Sequence, residues 1–229
     1  MSGGLERYGR ATAALIRREL LMEIRTREAL QSTGFFSILI VVLFGFAMGA
    51  RPVQPFMAPG MLWIAFSFAG VLGLNRSFGR ERDNGCLTGL MLCPVDRSSV
   101  FIAKCVVQLI LMLAVELITL PVFSIFLQVS LLPHLGPILL INLLGTAGFA
   151  AAGTLLSAIA GSSRARDVLL PIMLYPLWIP LLLAAVRSMA LVLDGRPLAS
   201  ASGWLCLMGL YDLIFFVLGL ILFEYVFEE

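Results

Sequence analysis

The stretch GPILLINLLGTAGFAAAGTLLSAIA, residues 136–160, carries no charged side chain and is long enough to cross a membrane as one helix. Small side chains cluster in it, where Gly145 and the run from Gly148 to Ala152 approximate a small-xxx-small spacing. Such a face lets two helices approach each other closely inside a membrane. Residues 136–160 therefore predict a membrane-spanning helix that packs closely against its neighbours.

The composition of the whole chain agrees with a membrane protein. Of its 229 residues, 60% are hydrophobic and 13% are charged, and the mean hydropathy is +0.99. A soluble domain has about half apolar and about a quarter charged residues. The apolar residues form continuous runs rather than alternating segments of about ten residues, which favours helices over a β-barrel. The sequence therefore predicts an all-α integral membrane protein.

Six apolar runs predict six transmembrane helices within a domain that covers residues 34–229. Most of these runs come close to the ~20 residues that a membrane-spanning helix needs. The predicted spans are residues 34–50, 57–74, 100–132 and 136–160, a segment that begins at Val168, and residues 203–227.

Residues 1–33 are polar and predict a cytosolic or interfacial amphipathic helix before the first span. On a helical wheel, one face is apolar and is expected to rest on the membrane; it consists of Ala13, Ile16, Leu20, Leu21 and Ile24. The other face is charged and is expected to meet water; it consists of Arg18, Glu19, Glu23 and Arg25. An arginine-rich helix with this pattern is typical of a membrane interface, and a plain solvated helix is the alternative.

The distribution of basic residues predicts how the spans are oriented. Of 16 lysines and arginines, 13 fall on the side that holds both termini, residues 75–104 and residues 161–167. Only Arg51, Arg187 and Arg196 fall on the other side. Because cytosolic loops are enriched in Lys and Arg, both termini are expected in the cytosol.

The longest polar interruption is NRSFGRERDNGCLTGLMLCPVDRSS, residues 75–99, on the predicted cytosolic side. Asp83 to Gly85 predicts a turn, and Cys86 to Cys93 predicts a short helix that ends at Pro94. The apolar face of this helix fits a groove on a partner protein. Since the six-span chain has no P-loop, it needs either a partner ATPase or a gradient as its energy source. We expect a transporter subunit, not an enzyme, whose cytosolic loops contact a partner ATPase. The residues expected to contact that ATPase are Asp83, Gly85, Leu87, Leu90, Met91 and Pro94.

The fifth apolar segment contains Pro171, Pro176 and Pro180. Proline removes a backbone donor and clashes with the preceding turn, so we predict that this segment is not one regular helix. It is expected to reach the outer surface near Pro180, with Leu181 to Leu193 as a second short helix at the outer interface. Tyr175 and Trp178 are of the type found in aromatic belts. The alternative is that the prolines only kink one span.

Glu116, Arg187 and Asp212 lie well inside the apolar segments, where a charge is costly. Their sequence positions place Glu116 and Asp212 in the outer half of the membrane, within reach of Arg187. We therefore predict a polar pocket near the outer face, lined by these three residues. A structural ion pair, or side chains that extend to the interface, is the alternative.

Several stretches together resemble a known family. They are RREL (residues 17–20), PGMLWIAFSFAGVLGLNRSFGRERDNG (59–85), LTGLMLCPV (87–95), IAKC (102–105), GTAGFAAAGTLLSA (145–158) and LLPIMLYPLWIPLLLA (169–184). In this order they resemble the CcmB family, haem exporter protein B, the permease subunit of the cytochrome c maturation system. Thr88 departs from the family pattern, in which many members carry an acid. The motif residues that favour this family over other permeases are Tyr175, Pro176, Trp178 and Pro180.

The resemblance implies a type-2 ABC transporter permease in the bacterial inner membrane. It implies that two copies of the chain pair with a cytosolic ATPase, CcmA, which binds ATP and Mg. It also implies association with a haem-handling membrane protein (CcmC), a small membrane protein (CcmD) and a periplasmic haem chaperone (CcmE). Haem is the implied cargo. Besides membrane lipid, the chain itself is expected to bind no cofactor, metal or nucleic acid, and to hold no catalytic residue. The resemblance leaves open whether ATP drives haem export or release of the haem-loaded chaperone.

Three other functions compete with this interpretation. The first is a type-2 ABC permease for another cargo, such as a lipid or polysaccharide. The second is a gradient-driven carrier, which requires inverted repeats, but residues 34–130 and 136–227 show no convincing repeat. The third is a membrane scaffold that transports nothing.

Overall fold

A computed structural model of the chain describes residues 2–49, 53–54, 56–83, 96–160 and 166–226. These residues form seven α-helices and no β-strand. The helices are α1 (Ser2–Thr26), α2 (Glu28–Met48), α3 (Ala58–Asp83), α4 (Arg97–Phe126), α5 (Leu135–Ala160), α6 (Arg166–Leu193) and α7 (Ser202–Val226). Short 3-10 turns at Leu132–His134 and Leu198–Ala201 precede α5 and α7.

Six helices of the described residues, α2 to α7, are long and apolar enough to cross a membrane. The all-α membrane fold predicted from the sequence is therefore confirmed. Two helix boundaries differ from the predicted ones. Helix α2 begins at Glu28, whereas the sequence predicts that the first span begins at residue 34. Likewise, α4 ends at Phe126, and the chain reaches Pro133 through a turn.

Helices α3 and α5 form the interior of the bundle. In each of these two helices, 72% of the most apolar 18-residue stretch is buried, whereas in the other four candidate spans the buried share is 33% or less. Helix α5 packs against α3, α4, α6 and α7. Its small residues make this possible. A side chain at Gly145 would meet the ring of Trp63 from α3, and one at Gly153 would meet Leu74. The predicted role of this small-residue face in close packing is confirmed.

The ends of the bundle alternate along the chain, so that the start of α2, the end of α3 and the start of α4 lie together. Nη1 of Arg76, near the end of the apolar part of α3, donates a hydrogen bond to the backbone oxygen of Glu28 at the start of α2 (3.4 Å). Helix α1 packs against α4 and α2. We call this end, where the polar helix α1 lies, the α1 end.

Helix α6 contradicts the prediction of a broken fifth segment. It runs as one α-helix from Arg166 to Leu193 and includes Pro171, Pro176 and Pro180. Hence Leu181 to Leu193 is not a separate helix at the outer interface. Each proline removes one backbone donor, whereas a break inside a membrane would leave several backbone groups without partners. The packing of α6 against α3, α5 and α7 further favours a continuous helix.

Candidate functional site

The predicted coupling segment is anchored by two helices at the α1 end. The part of α3 that could span a membrane ends at Arg76, and the helix continues for seven more residues to Asp83. Helix α4 begins at Arg97, after Asp96 at its N-cap position. Of the residues expected to contact an ATPase, Asp83 is thus the last residue of α3. The others lie outside the described residues; they are Gly85, Leu87, Leu90, Met91 and Pro94.

A buried ion pair fastens α1 to α4 beside this segment. Nζ of Lys104 lies 3.4 Å from Oε1 of Glu19, and the two side chains are 2% and 12% exposed. A second contact lies nearer the start of α4, where the hydroxyl of Tyr8 donates a hydrogen bond to Oγ of Ser98 (3.0 Å). The start of α4, which directly follows the predicted coupling segment, is therefore held by α1.

Glu23 links α1 to the first span. Its Oε1 accepts hydrogen bonds from the backbone nitrogens of Ala29 (2.8 Å) and Leu30 (3.0 Å). These groups belong to the first turn of α2, where backbone N–H groups have no partner inside the helix. Arg27 connects the two helices in a left-handed conformation with φ 53°. The carboxylate thus caps α2 and fixes the corner between α1 and α2.

These contacts correct the expected surroundings of two acidic residues of α1. We expected Glu19 and Glu23 to face water. Instead both glutamates point into the bundle, where they meet Lys104 and the start of α2. Leu21 and Ile24 remain 48% and 63% exposed. Contact between the apolar face of α1 and the membrane stays a prediction.

The two intramembrane acids contact neighbouring positions of α5. Glu116 is 1% exposed, and its Oε1 accepts a hydrogen bond from the hydroxyl of Thr146. Asp212 lies beside Gly148, where a Cβ atom would collide with its Oδ1. The second oxygen of Glu116 and Oδ1 of Asp212 have no hydrogen-bond partner in the described part of the chain. Both acids are therefore packed against the same stretch of α5.

The level of both acids in the bundle follows from these contacts. Thr146 and Gly148 lie at the middle of α5, so the two carboxyl groups lie at that level of the bundle. Trp178 of α6 marks the same level, because its ring stacks on Phe149 with centroids 3.5 Å apart. Arg187 lies nine residues further along α6, about 14 Å away. Among the described residues, no hydrogen bond or ion pair joins Arg187 to either acid, and a pocket shared by all three remains a prediction.

The aromatic residues of the fifth-segment motif lie inside the bundle. Trp178 is fully buried, and its ring contacts Tyr175 (6.0 Å between centroids, edge to face) as well as Phe149. Tyr175 in turn contacts Phe68 of α3 (5.5 Å). The aromatic-belt interpretation is wrong for Trp178, because this side chain packs at the level of Gly148. The motif joins α3, α5 and α6, and Pro176 and Pro180 lie within the same helix.

The contacts of Glu19, Glu23 and Lys104 were missed by reasoning from the sequence. One signal could have found them, because Lys104 is a charged residue inside the apolar run 100–115 and therefore requires a partner.

For metal binding, the described residues contain no group of three or more His, Cys, Asp or Glu side chains that could hold an ion.

The fold and these contacts define a multi-pass α-helical membrane protein with a polar helix fastened to one end. A family model described as CcmB protein matches residues 10–223, which include α2 to α6 and most of α1 and α7. The chain belongs to the CcmB family.

Several curated proteins are similar to the chain over most of both lengths. One named Heme exporter protein B, from Pseudomonas aeruginosa, is 25% identical over 193 residues, which cover 83% of this chain and 86% of the relative. The protein of the same name from Rhodobacter capsulatus is 26% identical, with 83% and 89% covered. That from Bradyrhizobium diazoefficiens is 24% identical, with 89% and 92% covered.

Proposed function

We propose that this chain is the membrane subunit of an ABC transporter complex that acts in cytochrome c biogenesis. The observation that carries the proposal is the family match over residues 10–223, together with relatives named Heme exporter protein B. The six spans supply the membrane part that such a subunit requires. The subunit itself performs no ATP hydrolysis, since its sequence contains no P-loop.

The subunit lies in the bacterial inner membrane with both termini in the cytosol. The charge bias of 13 against three basic residues supports this orientation. The α1 end of the bundle is then the cytosolic end. The opposite ends of the spans, with the turns that precede α5 and α7, face the periplasm.

The segment between α3 and α4 transmits the action of a cytosolic ATPase to the spans. Leu87, Leu90 and Met91, at spacings of three and four, form an apolar face if residues 86–93 are helical. A short amphipathic helix of this kind binds in an apolar groove of a partner. The proposal gains support from the position of this segment between α3, an inner helix, and α4, which α1 also holds.

The remaining partners are those of a cytochrome c maturation system. Two copies of the chain pair with a separate CcmA-like ATPase, which binds ATP and Mg. A CcmC-like haem-handling protein, a small CcmD-like protein and a periplasmic CcmE-like chaperone complete the complex. ATP hydrolysis then drives either haem export or release of the haem-loaded chaperone.

Deletion of the gene tests this function directly. We expect the deletion strain to lose c-type cytochromes, measured by haem staining of a denaturing gel, and the wild-type gene to restore them. Covalent haem on the chaperone separates the two mechanisms. Accumulation of loaded chaperone favours release, and its absence favours haem supply. Normal levels of c-type cytochromes in the deletion strain would contradict the proposed function.

A further inference from the structure

The outward face of α1 combines arginines with exposed apolar side chains. One shallow cleft is lined by Ala14, Arg17, Arg18, Leu21, Met22 and Arg25. Leu21 and Met22 are 48% and 43% exposed, although their neighbours on the inward face are packed against the bundle. We call Arg17, Arg18 and Arg25, with Leu21 and Met22, the arginine face.

The charge of this face is separated from the acids of the same helix. Glu19 points to Lys104, and Glu23 points to the backbone of α2. Arg17 and Arg25 make no hydrogen bond or ion pair with the described part of the chain. Because both carboxylates point inward, the outward surface of α1 is positively charged and partly apolar.

The position of α1 places this face at the boundary of the membrane. Only Arg27 separates α1 from α2, which is a membrane span, so Arg25 lies within one turn of the span. From the Tyr8–Ser98 contact to the Glu19–Lys104 contact, the chain advances about 16 Å along α1 and about 9 Å along α4. Helix α1 thus descends obliquely along α4, and its second half, with the arginine face, lies nearer the membrane.

We propose that the arginine face binds the phosphate headgroup of an anionic phospholipid. Guanidinium groups recognise phosphate oxygens through paired hydrogen bonds, and their apolar stems can rest on the acyl region while the charge stays at the interface. Leu21 and Met22 supply the apolar surface that a lipid needs and a free phosphate does not. The proposal concerns lipid recognition and does not depend on a role in haem export.

Native mass spectrometry of the full-length protein tests this binding. The purified protein is mixed in detergent with equal amounts of dioleoyl phosphatidylglycerol and dioleoyl phosphatidylcholine. We expect the anionic lipid to be retained about fivefold or more over the neutral one, since each basic residue near a membrane surface contributes a factor of this order. The preference should fall as ionic strength rises, because salt screens exposed charges.

Matched variants assign the preference to the arginine face. The triple variant Arg17→Gln, Arg18→Gln, Arg25→Gln should retain both lipids within about twofold of each other. The corresponding triple lysine variant should keep the preference, which separates loss of charge from loss of structure. Arg196→Gln changes an exposed arginine at the opposite end of the bundle and should behave as wild type. Circular dichroism checks the helix content of each protein.

The proposal fails if the wild type retains the two lipids equally, or if the triple glutamine variant keeps the preference. Displacement of the lipid by millimolar inorganic phosphate would identify a general anion site and also contradict it. If the glutamine variant kept its lipid preference but lost a co-purifying ATPase, the arginine face would belong to a protein partner instead.

Discussion

Nζ of Lys104 lies 3.4 Å from Oε1 of Glu19, and this pair joins the polar helix α1 to the third span at a nearly buried position. Lys104 lies two turns after Arg97, the first residue of α4, and hence close to the end of the segment 84–96. If that segment is displaced and moves the start of α4, it must therefore also move α1 or break the ion pair between Lys104 and Glu19. This arrangement ties the position of α1 to that of the start of α4.

Removal of one partner of this pair should destabilise the protein strongly. Lys104→Met removes the ammonium group that lies 3.4 Å from the Glu19 carboxylate, at a site where Glu19 is 12% exposed, and the loss of one partner of a buried pair costs about 3 kcal/mol. Thermal unfolding in detergent measures the change. Arg196→Met is the matched control, because its pair with Asp194 has the same 3.4 Å distance but is 60% exposed on both sides. That change should cost less than about 1 kcal/mol.

The double variant Lys104→Met with Glu19→Leu should recover much of the lost stability, since both charges of this pair are removed together. If Lys104→Met were as stable as Arg196→Met, the pair would have no role in holding α1 on α4.

Glu23→Ala should loosen the corner between α1 and α2. The variant leaves the backbone nitrogens of Ala29 and Leu30 without their acceptor, which costs about 1–2 kcal/mol for a helix cap. Limited trypsin digestion reports the change, because Arg27 lies in the corner and should be cleaved faster. Glu23→Gln keeps an acceptor oxygen and should be cleaved at a rate between those of the wild type and the alanine variant. Equal rates for all three proteins would contradict the cap.

Gly148→Ala should disturb the packing of α5 against α7. The added Cβ would lie 2.9 Å from Cδ1 of Tyr211 and 3.1 Å from Cδ2 of Leu181, and would also collide with Asp212. Overpacking of this kind costs about 1–3 kcal/mol. The control is Gly209→Ala in α7, where a Cβ meets no atom within 4 Å, and alanine is a better helix former there. Thermal unfolding should show a loss for the first variant and none for the second.

The intramembrane acids are tested by substitutions that keep their shape. If Glu116 and Asp212 take part in transport, Glu116→Gln and Asp212→Asn should lower the amount of c-type cytochrome while leaving the membrane level of the protein unchanged. In the first variant, the amide oxygen can still accept the hydrogen bond of Thr146, so the packing is retained. Full cytochrome levels in both variants would leave the two acids with a structural role only.

The number and type of the helices could be predicted from the sequence because each apolar run is long, continuous and bounded by polar residues. The continuity of α6 could not be predicted in this way. Proline destabilises an isolated helix, but that energetic cost does not show how the helices packed around Pro176 and Pro180 stabilise a continuous helix. The aromatic contacts of Trp178 with Phe149 are likewise formed by residues 29 positions apart.

The candidate site shows the same limit in α1. A helical wheel assigns Glu19 and Glu23 to water because it contains no information on Lys104, which is 85 residues away from Glu19. Once a lysine inside an apolar run is taken to require a partner, an acidic residue of α1 becomes the natural choice. Residues 84–95 lie outside the described residues, so their expected contacts stay a prediction.

Co-purification of the partner ATPase tests the central claim most directly. The tagged chain is expressed with the ATPase of its system, solubilised in detergent and isolated, and the ATPase is quantified beside it. The wild type and the control Thr88→Asp, which places a charge in the same segment off the apolar face, should retain the ATPase. Leu87→Asp and Leu90→Asp should lose most of it, about tenfold or more, because each places a charge in an apolar contact. Undiminished ATPase and normal c-type cytochromes in both leucine variants would contradict the coupling role of this segment.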